Sequence, residues 1–366
     1  TGGFSQADRE RLANQAKSLG AASFQLIDAT QAYYDTCLRF LIYGNVLKNG
    51  TYPLSVSAER MIQAVHIAEA AQAYGAGIIA HGSTGAGNDQ VRFDMAFQTI
   101  LPDAKILTPI RDQRLSREAE IEYLKAHNVQ MNFEKARYSI NQGLWGTSVG
   151  GRETLTSSQP LPEDAWPTPV SKHNPEDITL EFHQGTLTAI NNQFFPHPSQ
   201  AIQALRDIAQ PFGIGRDIHV GDTIIGIKGR VGFEAAAPLI ILKAHHLLEK
   251  HTLTKWQLYW KDQLAQWYGN WLHEGQWLEP VMRDIEQMLI STQQCVSGKV
   301  FATLHPYRFT LNGIESEHDL MNARFGAYGE MNTGWTGEDV RGFAKIFGNQ
   351  NRIWQAVNGT PIPTPS

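Results

Sequence analysis

His81-Gly82-Ser83-Thr84-Gly85-Ala86-Gly87-Asn88-Asp89-Gln90-Val91-Arg92-Phe93 brings three glycines and then Asn88, Asp89 and Arg92 together between a strand-like and a helix-like segment. Before it stands Gly77-Ile78-Ile79-Ala80, a short apolar run that reads as a buried strand; its own Val91, with Met95 and Phe97 beyond it, carries a helix. A turn at the carboxyl end of a strand is where parallel sheets take their ligands. Gly82, Gly85 and Gly87 let the backbone approach a phosphate or carboxylate, and the helix N-terminus adds unpaired N–H groups and the positive end of a dipole. No Gly-Lys-Ser/Thr follows, so this is not a Walker loop, and Gln90 stands where a dinucleotide fingerprint wants its last glycine. Composition leaves open a plain strand-to-helix connection. Asn88, Asp89 and Arg92 within one turn favour a binding turn, because together they can address an amide, an ammonium and a carboxylate.

On either side of this run the first third repeats the strand and helix alternation. Residues 7–18 carry apolar teeth at Leu12 and Ala16, Gly20 stops the helix, and Ala22 to Ile27 reads as a strand. Met61, Val65, Ala68 and Ala71 recur at helical spacing up to Gly75. Lys105 to Leu107 reads as a further strand, and Ser116 caps a helix carrying Ile121 and Leu124. The pattern predicts an α/β nucleotide-binding domain with a parallel sheet covered on both faces, spanning 1–132. Residues 133–366 then read as α+β. Asp177 to Phe182 and Thr186 to Ile190 flank His183-Gln184-Gly185 as a hairpin, and Val300 to Leu304 with Tyr307 to Leu311 form a second antiparallel pair. A long helical stretch, 253–291, breaks near Pro280 and carries Trp256, Trp260, Leu264, Trp267 and Trp271 as a stripe. Its own core is the first place for that stripe and a subunit interface the second. The tail Thr360 to Ser366 is too proline-rich for helix or central strand, and fraying is expected there.

The chain has 366 residues, 42% hydrophobic and 18% charged, which excludes disordered, collagen-like and coiled-coil classes. A net charge of −5, from 31 Lys+Arg against 36 Asp+Glu, provides no basic field for nucleic acid or a membrane surface. No apolar run approaches the roughly 18 residues that span a bilayer. Thr1-Gly2-Gly3-Phe4-Ser5 lacks the features of a leader, and two isolated cysteines, Cys37 and Cys295, fit a reducing compartment, so a cytoplasmic protein is expected. His245 and His246 are adjacent and point to different sides of a helix, so no protein-bound metal is expected.

The run His81 to Phe93 resembles the central motif of the argininosuccinate synthases. Asn49-Gly50-Thr51-Tyr52-Pro53-Leu54-Ser55-Val56-Ser57 resembles that family's citrulline-binding turn, and Tyr138 to Asn141 with Leu144 to Ser148 resembles its serine-bearing segment. Gly213-Ile214-Gly215-Arg216 and Gly226-Ile227-Lys228-Gly229-Arg230 resemble a later one, and order and spacing agree to about residue 350. The resemblance implies ATP-dependent joining of citrulline to aspartate in arginine biosynthesis, through a citrullyl-adenylate, in a homotetramer. It implies that Thr1, Ala80, His81, Gly82, Ser83, Gly85 and Gly87 line ATP, with Mg2+ only as its partner. Thr84, Asn88 and Asp89 would hold aspartate, and Tyr52, Ser57, Asn88, Arg92, Ser139, Ser148, Gly221 and Phe233 would face citrulline. Asp89, Asn88 and Arg92 would carry the catalytic positioning.

Two departures qualify the resemblance. The family's Ser-Gly-Gly-Leu-Asp-Thr-Ser ATP loop is not in this sequence, and Thr1-Gly2-Gly3 aligns with the loop after the second strand. A unit on the order of 30 residues is expected upstream, and without it the chain as written is not expected to form the adenylate. A catalytically silent amino-acid-binding or assembly homologue is the rival reading. A tRNA-modifying or amidotransferase-linked relative fits less well, since it leaves Tyr52, Ser57, Ser139 and Ser148 unexplained. Secondly, Gly221 stands where the family has a glutamate and Phe233 where it has a tyrosine, both of which contact the amino-acid end of citrulline. Asp222 can compensate from the next position; the alternative is an N-acylated citrulline, whose amide carries no charge.

Overall fold

The computed structural model describes residues 1–129, 138–321, 326, 328–330 and 334–359. Ser5 opens α1 (Gln6–Ser18): its hydroxyl accepts from the Asp8 N–H, and the Asp8 carboxylate accepts from the Ser5 N–H. Leu12 and Ala16 of α1 are not buried. The expected strand from Ala22 to Ile27 does not form, and Phe24, Leu26 and Ile27 are exposed. Strand backbone needs a neighbour to take its N–H and C=O groups, and no described strand runs beside this segment. A helical run follows, α2 (Thr30–Tyr33), a wider π-wound Tyr34–Leu38 and α3 (Arg39–Tyr43), which buries Tyr33, Cys37, Leu38, Leu41 and Ile42.

Leu54, buried and left-handed at φ 63°, turns the chain into α4 (Ser55–Ala73). Then come β1 (Ile78–Ala80), α5 (Asp89–Ile100), β2 (Lys105–Leu107), α6 (Pro109–Asp112) and α7 (Arg117–Ala126), the last capped by Ser116. β1 and β2 pair in parallel, Ile78 with Lys105 through Ala80 with Leu107. That sheet has two strands among the described residues, and Ile78 and Leu107 are exposed, so the expected cover on both faces is not found.

Two antiparallel sheets build the rest. β3 (Ser139–Gly143), β4 (Gly146–Gly150), β8 (Arg216–Asp222) and β9 (Lys228–Glu234) lie in the order β3-β4-β9-β8. β5 (Glu176–His183), β6 (Thr186–Ile190), β7 (Gln193–Phe194), β10 (Gly298–His305) and β11 (Arg308–Glu315) lie in the order β11-β10-β5-β6-β7. The β5–β6 turn places Gln184 at φ 47° and Gly185 at φ 76°, the two positive angles a two-residue hairpin loop requires. Both hairpins read from the sequence are therefore present.

Helices α8 (Pro198–Ala209), α9 (Ala236–Thr252), α10 (Lys255–His273) and α11 (Pro280–Thr292) complete the core. α9 buries Ala237, Ile240, Ile241, Ala244 and Leu248, and one buried cluster runs from Ala29 to Leu304. The helical stretch breaks as expected, because Glu274 to Glu279 leave the α10 path and Pro280 takes the first position of α11. Most of the tryptophan stripe is not core. Trp256, Trp260 and Trp267 are 65%, 57% and 55% exposed, while Leu264 and Trp271 are only partly covered. The inward stripe is Lys261, Ala265, Tyr268 and Leu272; each indole at 260, 267 and 271 precedes an inward residue by one position, about 100° round the helix.

The described residues group into two compact units, Thr1–His318 and Asp319–Ser366. The second carries α12 (Gly337–Phe347), capped by Thr336, and α13 (Asn349–Asn358). The boundary expected near residue 132 and the tail Thr360 to Ser366 lie outside the described residues.

Candidate active site

A cavity of about 210 Å³ opens within the first unit, where the N-terminal ends of α4 and α5 meet the β8–β9 hairpin and the end of α10. Tyr52, Ser57, Asn88, Arg92, Ser148 and Gly221, six of the residues singled out for citrulline, line it together. Phe233 and Ser139 do not. Phe233 is wholly buried opposite Ser148 in the β4–β9 register and packs edge-on behind Tyr52 at 5.4 Å, so it supports the wall from behind. Ser139 is an exposed residue of β3.

Arg92 organises the centre. It is 2% exposed, and its Nη2 and Nε donate to the His273 carbonyl at 2.8 and 3.0 Å while Nη1 donates to Asp89 Oδ1 at 3.0 Å. Asp89 Oδ2 accepts from Arg60 Nε at 3.1 Å, and Arg60 reaches on to Asn141 Oδ1 at 2.8 Å. Asp89 is thus clamped between two guanidinium groups and presents no free negative charge, although a carboxylate has about four acceptor positions and two are used here. Asn88 Oδ1 accepts from the Ile224 N–H at 2.8 Å, which fixes the carboxamide and leaves its amino group as donor.

The two histidines of the wall are held neutral. Burial, then the charges of Arg92 and Lys48, push His273 down to about 3. Its Nε2 faces the Asp222 carbonyl at 3.3 Å, which can only accept, so the proton sits on Nε2 and Nδ1 accepts from Ser57 Oγ at 3.4 Å. His219 is buried, with its pKa lowered by burial and then by Lys48, and its ring stacks on Tyr52 at 4.9 Å. The Tyr52 hydroxyl is spent on Ser55 Oγ and the Val56 N–H, both at 3.1 Å, so Tyr52 offers its ring rather than its oxygen. Arg230 completes the basic wall, its Nη1 donating to the carbonyls of Glu153, Thr156 and Gln159. Asp222, the expected substitute for a carboxylate at 221, is exposed and paired with Lys228 at 2.6 Å.

The loop from His81 to Gly87 stands beside this cavity at the start of α5. His81 Nδ1 accepts from the Ser83 N–H at 3.3 Å, so its Nε2 donates to Asp94 at 2.8 Å, and Arg111 holds the other Asp94 oxygen at 2.7 Å. Gln90 explains its own presence: its Nε2 ties the Gly85 and Gly87 carbonyls at 2.7 and 3.1 Å, fixing the loop. Ala80, Gly82, Thr84 and Gly85 are exposed, and nothing lies within 4 Å of where a Gly82 side chain would start. Thr1 is elsewhere, in a separate small hollow with Gly2 and Phe4, where its hydroxyl donates to Glu59 at 2.7 Å.

Arg60, His219 and His273 escaped the sequence reading. Arg60 had a signal, being one helical turn beyond Ser57 on the same face of α4. His273 had none, since it meets Arg92 across 181 positions of sequence. Among the described residues no three His, Cys, Asp or Glu side chains gather as a metal site, and no helix is long and apolar enough to cross a membrane.

Residues 3–130 match the family model described as the arginosuccinate synthase N-terminal HUP domain, and residues 138–354 the arginosuccinate synthase C-terminal domain. The chain is 32% identical to the argininosuccinate synthase of Dictyoglomus thermophilum, over 96% of its own length and 88% of that protein. It is 33% identical to that of Pyrococcus furiosus, over 94% and 84% of the two chains, and 33% identical to that of Xanthomonas campestris, over 98% and 91%.

Proposed function

The chain belongs to the argininosuccinate synthase family, and on that premise we propose that the cavity holds the ureido amino acid, with ATP on the neighbouring loop. The activity is that of an ATP-dependent C–N ligase. The ureido oxygen attacks the α-phosphorus of ATP and pyrophosphate leaves; the aspartate amine then attacks the activated carbon, loses its proton, and AMP departs. A ureido carbon is a poor electrophile, and the adenylate makes its oxygen a leaving group. Nothing here needs a protein nucleophile, so the side chains work by placing groups and balancing charge.

The observation that carries this reading is the convergence of Asn88 and Arg92, at the start of α5, with Ser57 and Ser148 around one cavity. The ureido end belongs beside α5, because the nucleotide loop ends there, and the amino-acid end then faces β8. Gly82 to Gly87 offer open backbone to phosphates. Asp89 keeps Arg60 and Arg92 aimed, and its remaining acceptor positions suit the aspartate ammonium, with Thr84 nearby in the chain. Magnesium belongs to the ATP phosphates, since that ion commonly keeps several waters and few protein ligands. A homotetramer fits the exposed indoles of α10, and two free cysteines fit the cytoplasm. Calorimetric titration with ureido amino acids tests the pocket. Asn88→Ala is expected to weaken binding roughly tenfold for a lost hydrogen bond, and unchanged binding refutes the placement.

A further inference from the structure

An α-amino acid brings two charges to a pocket, a carboxylate and an ammonium, and the wall of β8 and β9 is built for only one of them. Arg92 and Arg230 supply positive charge to the cavity. Among the described residues the two carboxylates at this cavity already have cations beside them: Asp222 pairs with Lys228 at 2.6 Å, and Asp89 lies between Arg60 and Arg92 at 3.1 and 3.0 Å. Tyr52, whose ring faces the cavity, has spent its hydroxyl on Ser55 and Val56. An ammonium placed against β8 would meet, among the described residues, no carboxylate that is not already paired with a cation, and a buried charge without its own partner is costly.

What this wall does offer is a neutral imidazole. His219 is 6% exposed and lines the cavity, and among the described residues neither of its ring nitrogens has a hydrogen-bond partner. Neither nitrogen is sealed away from the cavity, so the polar edge of the ring is free to meet a ligand or water there. The ring lies flat on Tyr52 and covers Gly221, where a Cβ would stand 2.4 Å from His219 Nε2. Glycine at 221 is therefore what lets the imidazole reach over the strand, and no larger residue fits while His219 keeps this position. Burial, followed by the charge of Lys48, lowers the His219 pKa. At neutral pH the ring thus has one N–H donor and one acceptor, the complement of an amide C=O and N–H.

We propose that the ureido amino acid of this enzyme is acylated on its α-nitrogen, and that His219, lying over Gly221, reads the amide. The proposal rests on the placement of the ureido group in this cavity and goes beyond it in the state of the α-nitrogen. The acyl carbonyl accepts from one imidazole nitrogen, and the ligand carboxylate remains for Arg230 on the neighbouring strand β9. Gly221 and His219 act as one device, since the first makes room for the second.

The test is equilibrium binding to the full chain, by calorimetry, of citrulline, N-acetylcitrulline and N-succinylcitrulline. A readout of binding needs no turnover. The acylated ligands are expected to bind at least about tenfold more tightly than citrulline, the factor that one charge-assisted hydrogen bond left unmade represents. The acetyl and succinyl arms show whether a second carboxylate on the acyl group is also read. Citrulline binding as tightly as either acylated ligand overturns the proposal and leaves the ureido pocket standing. Failure of all three to bind a protein that still melts cooperatively overturns the pocket as well. A second arm uses His219→Ala/Gly221→Glu, which removes the imidazole and installs a carboxylate in the space it vacates. Its preference is expected to move toward free citrulline by roughly tenfold or more. An unchanged ratio removes His219 and Gly221 from the account.

Discussion

Replacing Arg92 tests the architecture of the site without reference to any ligand. His273 is the last residue of α10, so its carbonyl has no donor within the helix. Arg92 supplies two, from Nη2 at 2.8 Å and Nε at 3.0 Å, and brings positive charge to the negative end of the helix dipole. Arg92→Met keeps much of the buried stem and removes these bonds and the one to Asp89. Each charged hydrogen bond contributes about 1.5–3 kcal/mol, but two of the three share one acceptor, and Asp89 keeps Arg60. The expected loss is therefore about 3–5 kcal/mol, the range for breaking a buried charged cluster from one side. Arg92→Lys, with a point charge in place of a planar fork, should recover roughly half. Urea unfolding followed by tryptophan fluorescence measures both, and Trp271 lies two positions from His273. A loss below about 1 kcal/mol for Arg92→Met refutes the capping argument.

Three further outcomes follow from the same geometry. His273 titrates near 3 when folded and near 6.5 when free, so the unfolded chain binds the extra proton between those values; its contribution to stability is complete above about 6.5 and is lost as pH falls toward 3. His273→Gln should flatten that part of the stability curve between pH 7.5 and 5, and an unchanged slope in urea melts contradicts the assignment. Lys261 pairs with Glu249 at 3.0 Å with both side chains fully buried, so Lys261→Met should cost about 3–5 kcal/mol and Lys261→Met/Glu249→Leu less; equal losses in thermal melts would show that the pair is not coupled. Trp260→Glu should lower the mass seen by light scattering if the indole row of α10 meets another copy, and a wild-type monomer ends that proposal.

Elements bounded by punctuation were legible. Ser116, Gly75, Pro280 and the Gln184-Gly185 turn act on their neighbours in the chain, and the structure places each boundary where they do. Ala22 to Ile27 was misread because a strand is a property of a pair, and composition says nothing of the partner. A core place for the tryptophan stripe fails at Trp256, Trp260 and Trp267 because periodicity shows that one helix face is apolar, not which face turns inward; Lys261 on the inward side looks like a surface residue until Glu249 is seen opposite it. The clustering of Asn88, Asp89 and Arg92 was readable because they share one turn. The charge balance was not, since Arg60, His219 and His273 arrive from three other elements and alter what Asp89 and Gly221 can do.

The grip of Arg92 on His273 has a mechanical side. α10 has 19 residues, so it is a rod of about 28 Å, pinned at one tip to the pocket and bearing its outward indoles along the flank. A swing of about 5° around that pin moves the far tip, at Lys255, by roughly 2 Å, because the hydrogen-bonded helix bends little over such a length. Whatever leans on Trp256 or Trp260 therefore pushes on a lever whose fulcrum is the guanidinium beside the cavity.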